Sequence, residues 1–277
     1  MDMDLPRLGY GHIVNDGVKI QYYRTGGEKP PVVLLHGLTD NGMCWGLTAL
    51  SLQPYYDMVM IDARGHGLSD APETGYGAAE HASDVAALIR ELNLKKSVVI
   101  GHSMGAANAL HTAAFYPDLV GGLVLEDPPF IDPPAQEPEG ERASRAEEWR
   151  KGILAMKSQS MEALIKTGKT MHPNWHEDEF FQWATGKQQV RPQVVQFITT
   201  PDKPWREVAA LVKCPVLLLT GDPQKGGLVT PEIAEKTVKL WRKGRLVNIP
   251  GVGHNIRREG FEPYFKAVKS FLSEVAG

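Results

Sequence analysis

The sequence predicts an α/β fold: a mostly parallel eight-stranded sheet flanked by helices, with an inserted helical cap. Three observations lead there. Short β-rich runs recur at 11–14, 18–24, 31–35, 58–61, 97–100, 122–125, 216–220 and 245–249. From the third onward most are solidly apolar, as strands covered on both faces must be. Amphipathic stretches at 76–92, 104–116, 231–241 and 261–275 lie between or after them, so the alternation reads as parallel strands joined by helices. The rhythm then breaks from about Asp127 to Trp205, where regular alternation gives way to irregular helical sequence.

Each element has a local reason. The runs at 18–24 and before it are separated by so few residues that they read as a hairpin on an antiparallel edge. Residues 76–92 place Val85, Leu88, Ile89 and Leu92 on one helical face. Asp127-Pro128-Pro129 and Asp132-Pro133-Pro134 make an acidic, proline-rich exit from the sheet. The stretch beyond it carries Trp149, Met156, Met161, Met171, Trp175, Phe180, Phe181 and Trp183. The core domain is therefore expected at 1–127 and 206–277, with the cap at 128–205. The cap's aromatics form its own core or an apolar roof, and Trp149, Trp175 and Trp183 are candidates to touch a substrate.

Composition excludes several classes. Of 277 residues, 42% are hydrophobic and 23% charged, and the net charge of −3 gives no reason to expect a nucleic acid or an anionic membrane as partner. The basic pairs Lys95-Lys96 and Arg257-Arg258 read as solvated surface. Cys44 and Cys214 read as two buried free thiols rather than a disulfide or a metal site. The opening Met1-Asp2-Met3-Asp4-Leu5 lacks the apolar stretch of a secretory signal, and no run is long enough to span a membrane, so a soluble, cytoplasmic protein is expected.

The chemistry is announced by Gly101-His102-Ser103-Met104-Gly105, between an apolar strand and a helix. A serine on such a sharp turn stands exposed at the carboxyl edge of the sheet, above a helix N-terminus, and the flanking glycines let neighbouring segments approach. Serine is a weak nucleophile without a base and an oxyanion site. His254, in the glycine-rich loop after the last strand, is the histidine placed to serve as base. The loop His36-Gly37-Leu38 is placed to present the Leu38 N–H beside that of Met104. His36 itself reads as a brace for that loop. His12, His81, His111, His172 and His176 read as surface or packing residues.

With these motifs assembled, the chain resembles the α/β-hydrolase superfamily over about 11–127 and 208–275. The elbow, His36-Gly37, the turn Asp62-Ala63-Arg64-Gly65-His66-Gly67-Leu68-Ser69 and Gly253-His254 carry the likeness. The turn at 64–69 is structural in such proteins. The resemblance implies a triad whose acid lies in one of two places. Many members carry it after the penultimate strand, three residues beyond a glycine; here that position is Gln224, and Asp222 is the carboxylate of that loop. Others, among them haloalkane dehalogenases and zearalenone lactonases, carry it after the strand that follows the elbow helix, which here is Asp127. Both remain open, with Asp127 ahead of Asp222 and Glu126 behind.

The expected reaction is hydrolysis of a carboxylic ester or lactone of a small hydrophobic molecule through an acyl-enzyme, with no metal or organic cofactor. Serine at position 103 disfavours the aspartate-based dehalogenases and epoxide hydrolases. A carbon–carbon bond hydrolase is weaker because Leu38-Thr39-Asp40-Asn41 is poor in glycine for such an oxyanion loop. Cofactor-free haloperoxidase-like activity shares the triad. A hydrolase-fold receptor for a small molecule is the alternative from another class.

Overall fold

The structure, a computed structural model, describes residues 8–131, 139–200 and 202–276. The acidic N-terminus and the proline-rich stretch 132–138 read from the sequence lie outside the described residues. Eight strands form one sheet: β1 (Gly9–Asn15), β2 (Val18–Arg24), β3 (Pro31–Leu35), β4 (Asp57–Ile61), β5 (Ser97–His102), β6 (Val120–Glu126), β7 (Val216–Thr220) and β8 (Gly244–Asn248). Their spatial order is β1-β2-β4-β3-β5-β6-β7-β8. The six strands from β4 to β8 are parallel. The β1–β2 hairpin adds an antiparallel edge, so the sheet is mixed. Asp16 and Gly17, with φ of 48° and 77°, supply the two left-handed residues that a tight hairpin turn needs.

Among the described residues the helices are α1 (Gly46–Leu52), α2 (Ala78–Glu91), α3 (Met104–Phe115), α4 (Glu139–Lys157), α5 (Met161–Met171), α6 (Glu177–Gln189), α7 (Trp205–Leu211), α8 (Pro231–Val238), α9 (Ile256–Glu259) and α10 (Phe261–Val275). Alternate strand residues feed two cores, as the two-residue period of a strand requires. Val33, Leu35, Val59, Val99, Leu123 and Leu218 pack under α2, α3, α7 and α8. Val32, Leu34, Met58, Val98, Ile100 and Leu217 face α1 and α10 on the other side. At about 1.5–3 kcal/mol for each fully buried aliphatic side chain, these two layers supply most of the drive to fold.

Between β6 and β7 the chain leaves the sheet through α4, α5 and α6, with a 3₁₀ segment at Pro192–Ile198. Leu164, Trp175, Phe180, Trp183 and Ala184 form a small core within this excursion. By α7 the chain is back on the sheet, where Trp205 stacks on Phe130 at a centroid distance of 4.2 Å. None of the described helices is long and apolar enough to cross a membrane. Both cysteines are free, but only Cys44 is buried; Cys214 is half-buried because it precedes β7 at the amino edge of the sheet and packs only against the rim of the first core. Burial pushes the thiol of Cys44 up to about 12.

Candidate active site

β5 delivers Ser103 onto a turn with φ 53° and ψ −119°, a conformation that an L-residue adopts only when its surroundings hold it. The surroundings are tight. A Cβ at Gly101 would lie 2.2 Å from the Gly105 carbonyl oxygen, and one at Gly105 would lie 2.2 Å from that of Leu35. Both glycines are thus required for strand and helix to meet. The Ser103 N–H donates to the Glu126 carbonyl at 3.0 Å, which ties the elbow to the end of β6. Ser103 and Met104 are half-buried, so both are open to a reactant while their neighbours are closed.

The loop after β8 carries His254 to the same edge. Its ring lies 4.7 Å, centroid to centroid, from that of His102, and its carbonyl is 3.1 Å from His102 Nε2. Glu259 grips the loop on either side of His254, accepting from the N–H of Gly253 at 2.5 Å and of Asn255 at 3.3 Å. The loop at 36–40 closes over the elbow, since a Cβ at Gly37 would fall 3.3 Å from that of Ser103. This brings Leu38 to the serine's neighbourhood. His36 braces the loop as expected, accepting the Ala63 N–H at Nε2 over 3.1 Å. The turn at 62–69 is structural too: Asp62 accepts from Gly42 and Leu68, and Arg64 makes a buried two-point pair with Asp84.

The two candidate acids separate by geometry. Asp127 is fully buried and lies 2.6 Å through Oδ2 from His254 Nδ1. It also accepts the N–H groups of Leu228 at 2.8 Å and Val229 at 3.2 Å. Asp222 instead caps the short 3₁₀ turn Pro223–Lys225, accepting from the Gln224 N–H at 2.9 Å. Glu126 is turned to the other side, where it accepts the Arg257 N–H at 2.8 Å. The three tryptophans are also distributed. Trp149 is 44% exposed on α4, whereas Trp175 and Trp183 are packed in the core of the excursion, with His172 stacked on Trp175 at 4.0 Å.

A second expectation is overturned. Arg257 and Arg258, read as solvated surface, are 1% and 4% exposed. They are buried because three carboxylates distant in sequence surround them. Arg258 pairs with Asp40 at 3.1 Å and Glu179 at 2.8 Å, and Arg257 with Glu126 at 3.4 Å and Asp40 at 3.5 Å. Their guanidinium groups lie over the rings of Trp175 and Trp45. Burial alone would raise the pKa of Asp40, but Arg258, Lys187 and Arg257 outweigh it and hold the carboxyl well below the usual range. Burial, reinforced by Arg257, keeps His102 neutral by pushing its pKa well below that of an ordinary imidazole. Neither Glu259 nor this network was legible beforehand; the one available signal was the closeness of Arg257, Arg258 and Glu259 to His254 in the chain. Among the described residues no group of three or more His, Cys, Asp or Glu side chains is arranged to hold a metal ion.

Comparison with known proteins identifies the family. Residues 32–263 match the alpha/beta hydrolase family. The chain is 31% identical over 264 residues to 2-(acetamidomethylene)succinate hydrolase of Mesorhizobium japonicum, covering 90% of each chain. It is 26% identical over 265 residues to N-formylmaleamate deformylase of Pseudomonas putida, covering 95% of this chain and 96% of the other. Among solved structures, an esterase from Rhodococcus superposes with a TM-score of 0.75 at 25% identity, covering 97% of this chain and 99% of that one.

Proposed function

The chain belongs to the alpha/beta hydrolase family, and from that premise we propose that it is a serine hydrolase acting on a carboxylic ester or lactone of a small, hydrophobic molecule. Ser103 is the nucleophile, His254 the general base and Asp127 the acid that orients the histidine. The observation that carries this reading is the 2.6 Å contact between His254 Nδ1 and Asp127 Oδ2. With Nδ1 engaged, Nε2 is the nitrogen left to take the serine proton.

In the proposed reaction Ser103 Oγ bonds to the carbonyl carbon as its proton passes to His254. The oxyanion sits between the N–H groups of Leu38 and Met104. Collapse breaks the bond to the leaving oxygen, which takes the proton from His254. A water molecule, deprotonated by the same histidine, then releases the acid and restores Ser103. The excursion between β6 and β7 serves as the cap over the acyl pocket. Ser103→Ala is expected to lower kcat on p-nitrophenyl acetate by about 10⁴ or more at unchanged thermal midpoint. Retained turnover would remove the serine from the mechanism.

A second reading keeps the triad and changes the bond. The 31%-identical relative and the deformylase are named for substrates with an acylated or formylated nitrogen. Here His254 would protonate a leaving nitrogen. Parallel kcat/KM values for short-chain esters and for N-acetyl and N-formyl compounds separate the two: preference for the ester supports the first reading, preference for the nitrogen acyl compounds the second.

A further inference from the structure

We propose that Lys187, on α6 of the excursion, is a positioning residue that holds the turn bearing the Leu38 N–H in its working shape. The inference rests on the serine-hydrolase reading given above.

Residues 37–40 form a tight turn, closed by the Asp40 N–H donating to the Gly37 carbonyl at 3.2 Å. Its third residue, Thr39, has φ 66°. Glycine or asparagine normally occupies that left-handed position, and a β-branched residue there stores backbone strain. Such strain persists only where neighbours over-determine it. Thr39 N–H meets His66 Nε2 at a long 3.4 Å, which is a weak restraint. Lys187 supplies the strong one. Its Nζ donates to Thr39 Oγ1 at 2.7 Å and to the Thr39 carbonyl at 3.2 Å, and it pairs with Asp40 Oδ1 at 3.3 Å. All three ammonium donors are thus directed at two consecutive residues of one turn, from a side chain that is 7% exposed.

The helix is built for this contact. A Cβ at Gly186 would fall 2.9 Å from the Thr39 carbonyl oxygen and 3.1 Å from Asp40 Cα, so α6 rests backbone to backbone on the turn. Asn41 Nδ2 donates to Gln189 Oε1 at 2.8 Å, extending the seam. Asp40 keeps Arg257 and Arg258 on its other oxygen. Loss of Lys187 therefore leaves Asp40 paired, while Thr39 loses the clamp on both its carbonyl and its hydroxyl. A cap element would in this way set the oxyanion geometry rather than only cover the substrate.

The test is the rate at which a fluorophosphonate labels Ser103, followed by intact mass and peptide mapping. In that step the Ser103 Oγ–P bond forms, the P–F bond breaks, the serine proton passes to His254 and fluoride leaves. The phosphoryl oxygen occupies the oxyanion position. Lys187→Met should slow labelling at least tenfold. Adding Thr39→Gly to that variant should recover threefold or more, because glycine holds a positive φ without a clamp. An unchanged rate with a lowered thermal midpoint, or slow labelling with no recovery, would overturn the proposal. If Lys187→Met alone does not fold, the double variant decides: folding with near wild-type labelling supports the clamp, and failure to fold makes Lys187 a stability residue and overturns it. If wild type is not labelled at Ser103, the serine-hydrolase reading falls first and this inference with it.

Discussion

Asp127 sits at φ 42°, directly after β6, with its carboxylate shared among His254, Leu228 and Val229. The two backbone donors fix the carboxylate in orientation, and it in turn fixes the imidazole. Asp127→Asn should then lower kcat by about 10³–10⁴, since an amide donor at that position favours the wrong histidine tautomer. Asp222→Asn should stay within threefold, because asparagine caps a short turn as well as aspartate does. Steady-state rates on one ester, with circular dichroism to check folding, decide between them. Ser103 and His254 stood out as candidates because each is embedded in a local pattern of strand, glycine and helix, and the structure brings both to one sheet edge. The sequence could not choose the acid. Asp127 and Asp222 both follow a strand at the same sheet edge, and the choice depends on which side chain crosses to His254. Arg257-Arg258 failed for a related reason: the partners Glu179, Glu126 and Asp40 stand 79 to 217 residues away in the chain.

At the scale of elements, most of the parallel strands and the helices on them were legible because they are solidly apolar or clearly amphipathic. The excursion was legible only as a break in rhythm. Its helix α4 has no strong apolar face, and the roles of its tryptophans depend on how α5 and α6 pack together. That packing yields an expectation for substitutions. Trp149→Ala, on an exposed surface, should change stability by no more than about 0.5 kcal/mol. Trp175→Ala removes a ring that touches His172, Phe180, Trp183 and Arg258, and should cost about 3–5 kcal/mol. Urea midpoints compared at unchanged slope measure both; equal midpoints would mean that α5 and α6 do not share a core.

The molecule as a whole buries histidines near the carboxyl edge of the sheet. Burial pushes His36, His66, His81 and His102 below the ordinary imidazole range, His81 to about 3. In the unfolded chain these rings titrate near 6.5, so below that pH the unfolded state binds more protons than the folded one. Their contribution to stability is complete above about pH 6.5 and is lost as the pH falls below it, for His81 down to about 3, at up to about 1.4 kcal/mol per pH unit for each ring. The urea midpoint at pH 5 should lie clearly below that at pH 7. A midpoint independent of pH over that interval would mean that the rings protonate within the fold.

The sheet, its two cores and the loops at its carboxyl edge converge on a single chemical claim, that Ser103 carries the acyl group. Rapid-quench intact mass spectrometry during p-nitrophenyl acetate turnover tests it most directly. One acetyl group should appear on wild type before steady turnover, map to Ser103 and be absent from Ser103→Ala. Turnover without an adduct at Ser103, or an equal adduct on the alanine variant, would contradict the mechanism.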